Sequence, residues 1–205
     1  RLIDKVKKVL EANGAVIVDV EFNISSDYKA AKEFYVLLYE LNVGMKNYLK
    51  GRDLPYETLE DIVAFNEANS DTVLKYFGQE IFLESLKATD TERYLKERED
   101  IGKLAKAQID SVLEENNLDL IIGLTRNPGW LTDLENGDSR GDGGISWANG
   151  GLSAVAGYPH ITIPLDFVNN LPVGVSFLGT AWDEANLINA AYSFEQENKF
   201  FPIPK

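Results

Sequence analysis

Residues Gly150 to Gly179 read GGLSAVAGYPHITIPLDFVNNLPVGVSFLG, and this stretch constrains the fold more than any other. Its first part is built from small residues. Gly150, Gly151, Ala154, Ala156 and Gly157 predict a helix over 148–157 whose backbone can lie close against a neighbour. Two apolar runs follow, His160 to Pro164 and Pro172 to Gly179, each suited to a strand. Asn169-Asn170 suits the turn between them. Neither run alternates with polar residues, so both strands are expected to be covered on two faces. A sheet between helix layers follows.

The rest of the chain supplies those layers. Leu2 to Asn13 has helical apolar spacing and stops at Gly14. Ala15 to Phe22 (AVIVDVEF) is β-branched and partly alternating, which predicts a strand. Ser25 or Ser26 should cap a long helix ending near Lys50, with Phe34, Leu37, Leu38, Leu41, Met45 and Leu49 on its apolar face. Short helices are expected from Leu54 to Asp90, one of them opened by a Thr58–Asp61 capping box in which Asp replaces the usual Glu. Thr89 or Thr91 should open a helix to about Asn116, its charge run forming a solvated face. Leu118 to Leu124 (LDLIIGL) reads as a buried strand, Thr125 to Ser146 as a loop, and Glu184 to Gln196 as a last helix. No Pro-, Gly- and Ser-rich linker divides the chain, so residues 1–205 are expected to form a single domain.

Composition narrows the function classes. The chain has 205 residues, 44% hydrophobic and 26% charged, which suits a soluble globular protein. No run approaches a membrane-spanning length, and the charged helical start is not a signal peptide. A cytoplasmic location is expected, with a secreted form left open. The net charge of -13 repels phosphates, so no nucleic-acid partner is expected. Cysteine is absent, which removes thiol nucleophiles, disulfides and Cys-based metal sites. The chain opens at Arg1 on a helical pattern with no clear cap, as expected for a piece of a longer protein.

Two segments carry a family resemblance. One is Leu118 to Trp130, LDLIIGLTRNPGW. The other is Ile145 to Gly179, ISWANGGLSAVAGYPHITIPLDFVNNLPVGVSFLG, continuing into TAWDEANLINAAYSFEQ. Together they resemble the C-terminal part of amidase signature enzymes: a buried strand ending in Thr-x-x-Pro, a small-residue helix, a Gly-Tyr-Pro-x-x-x-x-Pro strand, then Leu-Pro-Val-Gly opening the next strand. The Asn-Pro-Gly-Trp and Ala-Val-Ala-Gly-Tyr-Pro-His pieces are most similar to bacterial amidases related to peptide amidase. Residues 1 to 22 fit the helix–strand unit of the same region, and residues 25 to 115 match only in being helical. The resemblance implies an α/β fold, part of a mixed sheet covered by helices, with the N-terminal catalytic portion absent.

It also implies a Ser–cis-Ser–Lys triad whose nucleophile lies in a Gly-Gly-Ser-Ser-Gly-Gly segment, where Gly-rich backbone presents amides to an oxyanion. Ser25-Ser26 is the only Ser pair, and Ile24 and Asp27 flank it instead of Gly. It reads as a helix cap, and no catalytic residue is assigned. Ser26-x-x-Lys29 has the spacing of penicillin-recognising enzymes but lacks their later motifs. His160, the only histidine, reads as structural. The loop Asp138 to Asn149 partly imitates a calcium loop, but Arg140 and Asn149 occupy positions three and twelve, where ligands are required. No metal or cofactor is expected.

In the family that this chain resembles, loops at these strand ends help wall the amide pocket. That implies substrate-binding roles for Thr125, Asn127, Trp130, Ser146, Trp147 and Asn149. The implied function is the C-terminal part of a hydrolase of linear or peptide C-terminal amides, inactive alone, with the missing N-terminal portion as its partner. Two alternatives stay open: an amidotransferase A-subunit-like protein, and a non-catalytic module that kept the fold. A piece of a larger domain should also expose an apolar face on its first helix or strand.

Overall fold

The computed structural model describes residues 2–23, 25–30, 33–135 and 150–202. They fall into two compact units. The first spans Arg1–Lys29, Gly102–Thr132 and Ser139–Lys205; the second spans Ala30–Ile101 and Asp133–Asp138.

The first unit carries the sheet. Its strands are β1 (Ile121–Leu124), β2 (His160–Val168) and β3 (Leu171–Leu178), ordered β1-β3-β2 and antiparallel throughout. The β2–β3 hairpin turns on Asn169 and Asn170, whose φ values of 50° and 64° place both in the left-handed region. Asn tolerates that region, and a two-residue turn of this hand matches the twist of the strands. Leu165 forms a bulge between the paired residues Pro164 and Asp166. Its side chain is fully buried. The bulge carbonyls find donors on two helices. Lys5 Nζ reaches Leu165 O at 3.2 Å, and Asn198 Nδ2 reaches Pro164 O at 3.3 Å and Leu165 O at 3.1 Å.

Strand alternation divides the sheet into two faces. Val175, Phe177, Ile163 and Leu165 point to one face. There α1 (Leu2–Ala12) contributes Val6 and Leu10, and α9 (Glu184–Asn198) contributes Leu187, Ala191 and Phe194. Ile121 and Leu178 point to the other face. They meet Ala105, Ile109 and Leu113 of α7 (Thr91–Glu115), and Leu152 and Ala156 of α8 (Gly151–Ala156). The expected sheet between helix layers is therefore present. Gly14 ends α1 at φ +88°, and Gly157 ends α8 at φ +71°. Ser25 caps α2 (Ser26–Ala30): its Oγ accepts the Tyr28 N–H at 3.1 Å.

The predicted strand Ala15 to Phe22 is not one. Among the described residues this segment has no ladder partner and sits in no sheet. β-branched composition favours extended backbone, but a strand also needs a neighbour with free backbone groups. Among the described residues there are three strands where about four were expected.

The second unit is helical: α3 (Glu33–Leu49), α4 (Leu59–Ala68), α5 (Ser70–Val73), α6 (Glu80–Lys87) and the first part of α7. The Thr58–Asp61 capping box forms. Asp61 Oδ2 accepts the Thr58 N–H at 2.9 Å, and Thr58 Oγ1 accepts the Asp61 N–H at 3.3 Å. The N–H groups of Glu57 and Thr58 and the Thr58 hydroxyl hold the Asp61 carboxyl below its ordinary pKa. Asp90, rather than Thr89 or Thr91, caps α7, accepting the Arg93 N–H at 3.0 Å. On α3 the buried residues are Val36 and Leu49, whereas Phe34 and Leu37 are exposed. The helix presents part of its flank to α7 through rings. Tyr39 stacks on Tyr94 with centroids 4.2 Å apart, and Arg93 lies 3.6 Å over the Tyr35 ring. Contacts of this kind favour one helix rotation alongside the apolar residues.

Candidate functional site

Thr125 follows β1 directly, and its N–H donates to Gly174 O on β3 at 3.0 Å. That extra ladder bond fixes the residue at the strand end. Residues 121, 123 and 125 alternate onto the α7–α8 face, as do Gly174, Ser176 and Leu178 of β3. Helices cover the Ile121–Leu178 end of that face. The other end carries hydroxyls. Thr125 Oγ1 lies 2.8 Å from Ser176 Oγ, and Thr162 Oγ1 of β2 lies 3.0 Å from the same atom. Ser176 is fully buried between a half-buried Thr125 and an exposed Thr162.

The chemistry of this cluster follows from counting hydrogens. Three hydroxyls hold three hydrogens, and two hydrogen bonds use two of them. The buried Ser176 cannot leave its own hydrogen unused without cost, so it donates to one threonine and accepts from the other. The uncommitted O–H then sits on Thr125 or on Thr162, at the rim. Turning the Ser176 hydroxyl moves it from one end to the other. The cluster presents one neutral donor and spare acceptor lone pairs, enough to pair with the C=O or the N–H of an amide.

Gly174 makes the arrangement possible. A Cβ there would lie 2.8 Å from Thr162 Cγ2, 3.0 Å from Thr125 Oγ1 and 3.3 Å from Ile163 O. Downstream of Thr125 the chain is open to solvent. Asn127 is exposed, and the Arg126 guanidinium lies 5.7 Å over the half-exposed Trp130 ring. Ser146, Trp147 and Asn149 lie outside the described residues, as does the calcium-like stretch Asp138–Asn149. The structure therefore joins Thr125 to two hydroxyls that were missed from sequence, Thr162 and Ser176. A serine inside the otherwise apolar run VGVSFLG was the available signal.

Other candidates resolve structurally. His160 is half-buried, with its ring 3.6 Å from where a Cβ on Gly150 would stand, beside the start of α8. Among the described residues, no group of three His, Asp or Glu side chains could hold a metal ion. No helix among them is long and apolar enough to cross a membrane. Tyr158, in the Gly-Tyr-Pro turn, donates to Asp110 Oδ2 on α7 at 2.9 Å. Burial, then Asp110, pushes its hydroxyl pKa up from 10.0 to about 12. A raised folded-state pKa means that ionisation opposes folding. The contribution is complete below pH 10.0 and is lost as pH climbs towards about 12. Tyr158→Phe is expected to cost about 1–2 kcal/mol at neutral pH. It should also flatten the alkaline loss of stability between pH 10 and about 12, read by urea unfolding at stepped pH. An unchanged alkaline limb in the variant would refute the Tyr158–Asp110 link.

Known proteins resemble this chain in sequence and in fold. A peptide amidase from Stenotrophomonas maltophilia superposes with a TM-score of 0.85 at 34% identity, over 100% of this chain and 40% of its own. An Arabidopsis thaliana protein described as a probable amidase is 28% identical over 213 residues, 100% of this chain and 37% of its own. The A-subunit of a glutamyl-tRNA(Gln) amidotransferase from Lysinibacillus sphaericus is 30% identical over 203 residues, 94% of this chain and 40% of its own. The chain spans about two fifths of the length of these relatives. The Amidase family model matches residues 1–188, and with the strand order, hairpin and small-residue helix in place the chain belongs to the amidase family.

Proposed function

We propose that this chain is the C-terminal part of an amide hydrolase acting on linear or peptide C-terminal amides. It supplies sheet, covering helices and one wall of the substrate pocket. The observation that carries this reading is the superposition on peptide amidase along the whole of this chain at 34% identity. The amidotransferase reading draws on a relative at 30% identity. The net charge of -13 weighs against a charged-tRNA substrate. In the proposed reading the Ser–cis-Ser–Lys triad lies outside residues 1–205, consistent with a Ser25 that is engaged as a helix cap.

The Thr125–Ser176–Thr162 hydroxyls then face the bound amide. Their spare hydrogen donates to its carbonyl oxygen, or their lone pairs accept from its N–H. The 205-residue chain alone is expected to release no ammonia from a peptide C-terminal amide. In a longer protein that carries the triad, Thr125→Val should lower kcat/KM by about fivefold, the worth of one neutral hydrogen bond. Robust turnover by the isolated chain would sink the placement of the triad. A Thr125→Val enzyme with unchanged kcat/KM would remove the hydroxyl cluster from the pocket wall.

A further inference from the structure

Arg126 follows Thr125, the first hydroxyl of the cluster, just past the end of β1. The Thr125 N–H still bonds Gly174 O, so Arg126 leaves the sheet from a fixed point. Pro128 biases Asn127 towards extended backbone, which steers the chain on from there. Arg126 is exposed, and its guanidinium lies 5.7 Å over the Trp130 ring. Among the described residues it makes no hydrogen bond and no ion pair. The other described arginines each donate to an oxygen: Arg52 to Tyr48 O at 2.6 Å, Arg93 to Glu97 Oε1 at 2.8 Å and Arg98 to the Tyr94 hydroxyl at 3.2 Å. The chain holds 33 Asp and Glu against 20 Lys and Arg, so an arginine that meets no carboxylate is the exception. Contact with a ring engages the cation and leaves the guanidinium N–H groups unspent. Those groups form a planar fork matched to the two oxygens of a carboxylate.

We infer that Arg126 selects substrates that carry a carboxylate beside the amide to be cleaved, as in a peptide amide whose last residue is Asp or Glu. The inference rests on the reading of this chain as part of an amide hydrolase and deepens it. The carboxamide meets the Thr125–Ser176–Thr162 hydroxyls, and the side-chain carboxylate meets the guanidinium fork. Thr125 and Arg126 are chain neighbours, with Cα atoms about 3.8 Å apart. In a terminal Asp or Glu amide only the α-carbon and a short side chain separate the carboxamide from the carboxylate, so one residue reaches both. The net charge of -13 disfavours anions over the surface at large, and Arg126 is the local exception that lets one dock. A neutral or cationic terminal residue gains nothing from the fork.

The test has two readouts. Side-chain NMR of the 205-residue chain follows the Arg126 Nε–H and the Trp130 Nε1–H while acetyl-Ala-Glu-amide, acetyl-Ala-Met-amide or acetate is added. The Glu amide is expected to shift both signals and to bind about fivefold more tightly than the Met amide, the upper range for an exposed ion pair. Thr125→Val should weaken the Glu amide and leave the acetate response as it was. Equal binding of acetate and the Glu amide, or no effect of Thr125→Val, overturns the two-point site. In a longer protein that carries the triad, the ratio of kcat/KM for the Glu amide to that for the Met amide should be about five. It should fall below one in Arg126→Glu, stay above one in Arg126→Lys, and shrink as salt is raised. A ratio unmoved by Arg126→Glu overturns the inference. If the melting temperature of the longer protein also falls in that variant, Arg126 serves as the partner of a carboxylate elsewhere in the longer chain. Binding needs no turnover. Glu-selective binding with no ammonia released would fault the proposed activity, whereas ammonia release without selectivity would fault the carboxylate preference alone.

Discussion

Phe177→Ala is expected to lower the unfolding free energy by about 3–5 kcal/mol, the largest loss from any single truncation in the sheet. Phe177 is fully buried on β3, the central strand, with its ring 6.2 Å from Phe194 in an edge-on contact. Cavities cost most where their walls cannot relax. β3 is laddered on both sides, α9 is tied to the bulge by Asn198, and α1 is tied to it by Lys5. A domain with about 5–15 kcal/mol in hand loses a large share of it. Phe167→Ala is the control: Phe167 also has an edge-on partner, Phe200 at 4.9 Å, but is 44% exposed. It should cost about 1 kcal/mol or less. Urea midpoints at unchanged m-value read both. Equal losses would mean that the α1–α9 layer does not close over β3.

The parts of the fold that were legible in sequence are those whose signals are local. The Asn169-Asn170 turn needs only two residues that tolerate positive φ, and the Thr58–Asp61 box needs only its own four residues. Gly14 and Gly157 stop helices for the same local reason. The α7 cap was a local misreading, with Asp90 in place of the neighbouring Thr89 or Thr91, but the others depended on distant partners. Ala15 to Phe22 has strand composition, but its pairing is decided by what lies beside it. Phe34 and Leu37 sit on the expected stripe of α3, yet ring stacking onto Tyr94 and the burial of Val36 turn that stripe partly outward. In the site, Thr125 was reachable because it ends a strand. Ser176 and Thr162 were not, since their role depends on the β1–β3–β2 register, which brings three hydroxyls from separate strands together at one oxygen.

That register makes Gly174 the position where fold and site are hardest to separate. Gly174→Ala is expected to cost about 1–3 kcal/mol, as overpacking does in a closed environment. The new Cβ would meet Thr162 Cγ2 at 2.8 Å, nearer than packed carbons approach, and Ile163 O, which is backbone and cannot swing away, at 3.3 Å. Thr162 is exposed and can rotate, but rotation carries its hydroxyl off Ser176. The strand therefore either bears the strain or breaks the cluster. Thr162→Ser separates the two outcomes, because it deletes the obstructing methyl and keeps the hydroxyl. In the Thr162→Ser background, Gly174→Ala should cost less than half of what it costs alone, a favourable coupling visible in a double-mutant cycle. Additive losses would show that the strain comes from Ile163 O and Thr125. In that case the Gly174 gap would serve the β2–β3 ladder and the Thr125 end of the cluster, and not the Thr162 methyl.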